Sequence, residues 1–198
     1  MRVWDEHVRK GGLLFVVSGP SGVGKDCVLM ELAKIYPAAR RCVTSTTRPP
    51  RSGEVEGVDY CFVSTQEFRE RIEAGGFLEY AEVHGNLYGT PRQSVEDDLA
   101  DGIDVILKID VQGGLNVKRQ VPEAIMVFLA PPSVEELERR LRSRLTDSQE
   151  QIAKRLADAR SELEHIPHYD YLIENDSLPD AADKLRAVII AEHCGIRE

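Results

Sequence analysis

Gly19-Pro20-Ser21-Gly22-Val23-Gly24-Lys25-Asp26 matches the spacing G-x-x-x-x-G-K. It follows a continuous apolar run, Leu13 to Ser18, and precedes a segment with helical periodicity. Strand, glycine loop, helix is the order that phosphate binding requires. The glycines let successive backbone N–H groups turn inward around phosphate oxygens, the helix directs its positive dipole end at them, and Lys25 adds a point charge. By composition alone this spacing would arise in roughly one chain in twenty of this size, so the flanking strand and helix carry the reading. Gly19 to Asp26, with Cys27 beyond them, are the candidate contacts to a nucleoside triphosphate. Asp26 stands where the pattern carries a Ser or Thr hydroxyl toward magnesium.

Working outward, Leu13–Ser18 reads as a strand buried on both faces of a parallel sheet. Leu29, Leu32, Ala33 and Tyr36 fall on one stripe of the following helix, which Pro37 closes. Val105–Val111 and Ile125–Ala130 are two more apolar strands with helical pattern around them, which predicts an α/β fold with a mostly parallel sheet. From Val43 to about Arg92 the texture changes to short β-prone pieces, Tyr60–Val63 and Phe77–Val83, with a helical segment near Gln66–Ala74. Ser133 and Glu136 form a capping-box signature, with Val134, Leu137, Leu141 and Leu145 on one face of the helix they open. A second helix runs from about Gln149 to His165 with Ile152, Leu156, Ala159 and Leu163 as its stripe. Thr146–Ser148 is a polar turn between the two. A strand over Tyr171–Glu174 and a helix from about Asp180, with Leu185, Val188 and Ile189 inward, complete the pattern. The expected organisation is a core over 1–42, 94–132 and 166–198, an inserted lobe over 43–93, and a helical lid over 133–165.

The 198 residues suffice for one compact domain with small insertions. With 42% hydrophobic and 30% charged residues, the chain falls outside disordered, collagen-like and coiled-coil compositions. A formal charge of -9 would repel nucleic acid or an anionic membrane from most of the surface, so an anionic ligand must be captured locally. Cys27, Cys42, Cys61 and Cys194 show no metal or disulfide spacing and are expected to be reduced and mostly buried. Met1–Gly12 is polar without a signal-peptide core, and no apolar run nears the length of about 20 needed to span a bilayer. A cytoplasmic location is expected; oligomeric state is left open.

A second anion site is written in T-S-T-T-R-P-P-R-S-G-E-V-E-G-V-D-Y, residues 44–60. Arg48 and Arg51 flank a stiff Pro-Pro pair with Tyr60 soon after. Forked guanidinium donors on a rigid turn suit a phosphate monoester. With F-L-E-Y-A-E-V-H-G-N-L-Y-G-T (77–90), D-V-Q-G (110–113), L-A-P-P-S (129–133) and Y-D-Y-L-I-E-N-D (169–176), the chain closely resembles guanylate kinases from about Leu13 to Glu192. The resemblance implies a three-layer P-loop NTPase fold with an inserted, β-rich GMP-binding lobe and a helical lid. It further implies transfer from ATP, with Mg2+, to GMP or dGMP. Arg48, Arg51, Tyr60 and Tyr88 would hold the GMP phosphate, while Thr44, Glu79, Thr90 and Asp110 would read or position guanine. Arg140, Arg144 and Arg155 would close over the transferring phosphoryl group beside Lys25, and Asn175 would contact adenine.

Two positions depart from the pattern. Asp26 replaces the hydroxyl residue, and Lys108 stands where these kinases commonly have an acid. The expectation is an exchange of charges, with Asp26 supplying the carboxylate near magnesium and Lys108 neutralising it. Two other readings stay open: another P-loop nucleotide or sugar-phosphate kinase, and a non-catalytic guanylate-kinase-like binding module.

Overall fold

The computed structural model describes residues 11–83, 85–143 and 149–196. Its elements, in chain order, begin with β1 (Leu14–Ser18), α1 (Lys25–Ile35), β2 (Arg40–Arg41), β3 (Ser45–Thr46), β4 (Cys61–Phe62) and α2 (Thr65–Glu73). Next come β5 (Phe77–Val83), β6 (Asn86–Pro91), α3 (Arg92–Ala100), β7 (Val105–Lys108), α4 (Val111–Gln120) and β8 (Ile125–Ala130). The last are α5 (Val134–Arg142), α6 (Gln149–Leu163), a 3-10 turn (Ile166–His168), β9 (Tyr171–Glu174) and α7 (Leu178–His193).

Five strands form one sheet in the order β2-β7-β1-β8-β9, every pairing parallel. β1 is central and all five of its residues are buried, which explains its unbroken apolar run. Alternate side chains feed two clusters. Phe15 and Val17 meet Val28, Leu29 and Leu32 of α1 and Ala182, Leu185 and Ile189 of α7. Leu14 and Val16 meet Leu78, Val95, Val117 and Met126 on the other face. The C-terminal ends of the parallel strands therefore open along one edge, where ligands of open α/β sheets bind. A separate sheet, β4-β3-β6-β5, is mixed and occupies residues 45–91.

Local readings met tertiary structure unevenly. Ser133 accepts from the Glu136 amide and caps α5 as its signature predicts. In α1 the buried face runs through Val28, Leu29 and Leu32, while Ala33 is exposed, a small residue whose burial would gain little. The strand expected to reach Val111 stops at Lys108; Asp110 instead accepts from the Gly113 amide and opens α4. The four cysteines are free as expected, but none is buried: Cys42 and Cys61 are half-buried, and Cys27 and Cys194 exposed. Leu145, Thr146–Ser148 and Arg144 lie outside the described residues.

The hairpin of α5 and α6 has its own apolar cluster, Leu137, Leu141, Ile152 and Ala159. It is seated on the glycine loop. A Cβ at Gly22 would lie 2.7 Å from Leu141 Cδ2 and 3.4 Å from Leu137 Cδ1, so loop and hairpin share one contact surface. Leu137→Ala is expected to cost about 2–5 kcal/mol, the range for emptying a buried leucine site, read as a lower urea midpoint. An unchanged midpoint would mean that α5 is not anchored there.

Candidate functional site

The loop after β1 is shaped by backbone that needs glycine. Gly19 takes φ 147° with its α-carbon against β8, where a Cβ would fall 2.1 Å from the Leu129 carbonyl oxygen. Gly24, at φ 97°, is the N-cap of α1. Lys25 therefore begins the helix and turns its ammonium back under the loop, donating to the Gly19 carbonyl and, at 3.3 Å, to that of Pro20. Burial pulls the Lys25 ammonium below its ordinary pKa, while half-buried Glu162 of α6 favours the charge. Glu162 is itself raised by burial and lowered by Lys25. The next residue, Asp26, is paired with Lys108 at the end of β7, Nζ to Oδ1 2.5 Å.

Beside the loop lies an open cavity of about 600 Å³ lined by Gly22, Gly24, Cys27, Arg140, Asn175 and Leu178, among others. Asn175 does more than line it. Its side-chain amide donates to the Val23 carbonyl at 2.7 Å, and its own carbonyl accepts from both terminal nitrogens of Arg140 at 3.1 Å. Arg140 also donates from Nε to Glu136 at 2.7 Å. Hydrogen bonds from Arg139 and Arg140 hold Glu136 down to about 2, so this end of α5 keeps its ion pairs across neutral pH. Arg155 is on α6; Arg144 lies outside the described residues.

On the other side, between the two sheets, a cavity of about 150 Å³ is walled by Thr44, Tyr60, Glu79, Tyr88, Lys108 and Asp110, with Arg41, Cys42 and Asp59. Five of the eight residues expected at the acceptor are thus brought together. Thr90 is fully buried behind Glu79 and donates to its carboxylate at 2.7 Å, so it positions that group. Arg48 adjoins the cavity: its Nε donates to the Tyr88 hydroxyl at 3.3 Å and its guanidinium lies 5.3 Å from the Tyr60 ring centre. Both its terminal nitrogens are occupied by Glu54, at 3.0 and 2.7 Å. Arg51 is exposed, and its backbone amide also donates to Glu54 at 2.7 Å.

One clamp therefore organises the arginine turn, through a residue that sequence reasoning passed over. Glu162 and Arg41 were missed in the same way, being ordinary charged residues that only the fold brings to the site. Cys42, by contrast, is chemically quiet there, since burial pushes its thiol up to about 12.

Two cavities, one against a glycine loop and one holding a buried carboxylate with tyrosines beside an arginine turn, are the arrangement the resemblance implied. The family model described as guanylate kinase matches residues 12–192. The chain belongs to the guanylate kinase family. It is 46% identical over 186 residues to a guanylate kinase of Desulfitobacterium hafniense (strain Y51), covering 94% of this chain and 93% of that one. It is 48% identical over 190 residues to one from Syntrophomonas wolfei, covering 96% and 97%. The crystal structure of guanylate kinase from Anaplasma phagocytophilum superposes with a TM-score of 0.76 at 34% identity, covering 94% of this chain and 88% of that one. The reaction is phosphoryl transfer from ATP to GMP, and no observation favours the other two readings.

In this member of the guanylate kinase family, burying the Glu79 carboxylate is a cost the ligand-free protein bears even with Thr90 donating to it. Burial raises Glu79 above the usual carboxylate range, against the lowering effect of the Thr90 hydrogen bond. The native state thus holds this proton more tightly than the unfolded chain, so stability falls as pH rises from the ordinary glutamate value through the raised one. Glu79→Gln keeps an acceptor for Thr90 and removes the charge. The variant is expected to unfold at higher urea than the parent at pH 8, with the gap closing as pH is lowered toward 5. A gap that does not change with pH would rule out this origin.

Proposed function

We propose that the loop-side cavity takes ATP, that the inter-sheet cavity takes GMP or dGMP, and that the chain's own cations align the two. The observation carrying this reading is the Asp26–Lys108 pair, which links the first turn of α1, directly after the glycine loop and Lys25, to the wall of the cavity containing Glu79. A carboxylate there can accept from N1–H and the exocyclic amine of guanine. Adenine lacks that donor pair and would leave it unpaired, which is a strong form of rejection. Arg48, Arg51, Tyr60 and Tyr88 would hold the monophosphate, and Thr44, Thr90 and Asp110 would position the base.

The attacking group is already a phosphate oxygen, so no general base is needed and the chain's task is alignment and charge stabilisation of a loose transition state. Lys25 would meet the β- and γ-phosphates. Arg140 and Arg155, with Arg144 assigned by resemblance alone, would neutralise the moving phosphoryl group. Asn175, its amide nitrogen engaged by Val23, would face adenine from the cavity wall. Closure of the lobe and lid over both substrates would exclude water that could otherwise take the phosphoryl group.

Among the described residues no cluster of three or more candidate metal ligands occurs. Asp26, with two-thirds of its side chain exposed beside Lys25, nevertheless fits magnesium, which binds through substrate phosphates, waters and one or two carboxylates. Asp26 would hold it, and when bound the ion supplies charge neutralisation of the transferring phosphates. Among the described residues no helix is long and apolar enough to cross a membrane. The four free cysteines suit the reducing cytoplasm as the place of this purine nucleotide chemistry.

The test is a coupled assay with ATP and magnesium offered GMP, dGMP, AMP, CMP, UMP or TMP. Transfer is expected to GMP and dGMP alone, and Lys25→Met should lower it by at least about 10²–10³-fold, the scale for losing one transition-state contact. Turnover of a different acceptor, or full activity in the Lys25 variant, would overturn the assignment.

A further inference from the structure

Lys108 ends β7 and has two places to put its charge. Its ammonium is 2.5 Å from Asp26 Oδ1, on the first turn of α1 directly after Lys25, and its side chain forms part of the wall of the inter-sheet cavity. The lysine side chain is 22% exposed and the aspartate 66%, so the lysine is the more covered member of the pair and its partner faces solvent. Among the described residues, Asp26 is its hydrogen-bond partner. An ion pair with one exposed member contributes little, about 0–1 kcal/mol, and is readily exchanged.

We propose that Lys108 is a phosphate-positioning residue for the acceptor, held by Asp26 until the acceptor phosphate enters the inter-sheet cavity. The inference rests on the assignment of that cavity to GMP. A phosphate monoester carries more negative charge than one carboxylate, and a point-charge ammonium on a flexible four-carbon stem can turn from one to the other. The exchange also acts in reverse. Once Lys108 has moved to the phosphate, the Asp26 carboxylate has lost its neutralising partner and becomes a better site for a divalent cation. By linkage, a cation at Asp26 must then tighten GMP binding by the same factor. The pair thus connects the filling of one cavity to the charge state of the other.

The test is calorimetric binding of GMP in EDTA, without ATP, to the parent, Asp26→Asn, Lys108→Met, the double variant and Lys108→Arg. Releasing the lysine in Asp26→Asn is expected to tighten GMP about threefold, and Lys108→Met to weaken it about tenfold, the scale of one charged contact. In the double variant the gain from Asp26→Asn should vanish, and Lys108→Arg, which keeps the cation, should stay near the parent. Mn2+ alone, followed by electron paramagnetic resonance, should bind the parent more tightly when GMP is present and show no such gain in Lys108→Met. Equal GMP affinity in the parent and Asp26→Asn, or a gain that survives in the double variant, would overturn the proposal while leaving GMP binding intact. A parent that binds no GMP would overturn the acceptor assignment itself.

Discussion

Two polyanions have to meet on a protein whose own formal charge is -9. That repulsion governs the site. Long-range attraction cannot gather the substrates, so cations and backbone N–H groups must be concentrated locally and kept neutralised by partners of the right reach. The structure does this repeatedly: Glu54 on Arg48, Asp26 on Lys108, Glu136 on Arg139 and Arg140, and Glu162 near Lys25. A bare cluster of these cations would repel itself in the ligand-free state. On the proposed assignment of the two cavities, Glu54 and Asp26 would stand in for negative charge that substrates bring.

The fold serves this by geometry. Five parallel strands with β1 at the centre end on one edge, so Ser18, Lys108, Asp110 and Asn175 converge there although they are far apart in sequence. The second sheet supplies Glu79, Tyr60 and Tyr88 from outside. The loop backbone is closely approached from three sides: Gly19 by the Leu129 backbone, Gly22 by the Leu141 side chain, and the Val23 carbonyl by the Asn175 side-chain amide. Neither the loop nor the base of the α5–α6 hairpin is therefore set by its own sequence alone.

Local signals were legible in the sequence. The Ser133 cap, β8 and β9 stand where spacing and capping chemistry put them, because each is decided within a few residues. α4 was hidden because Gly113 and Gly114 argue against a helix by propensity. Their reason is tertiary: a Cβ at Gly113 would lie 3.0 Å from Glu79 Oε2, and one at Gly114 2.9 Å from Ser18 Oγ. The residues expected at the acceptor could be named from the resemblance, but not the placement of Glu79 at the cavity wall with Thr90 behind it. Glu54 and Glu162 left no pattern because their partners are fixed by a turn and by the packing of α6. The pairing of Asp26 with Lys108 was legible in the sequence as an exchange of charges, and the two side chains meet.

The Glu54 clamp on Arg48 has a consequence for ligand discrimination. A group that takes both guanidinium N–H donors now held by Glu54 must displace a bidentate carboxylate that is already well placed, so binding there would be an exchange of anions. A nucleoside without its phosphate brings nothing to the exchange, and a small univalent anion brings no more charge than it removes. Only a ligand with greater charge density and a matching fork of oxygens comes out ahead. With the acceptor phosphate held at Arg48 as proposed, the turn would sort ligands by valence before the base is read.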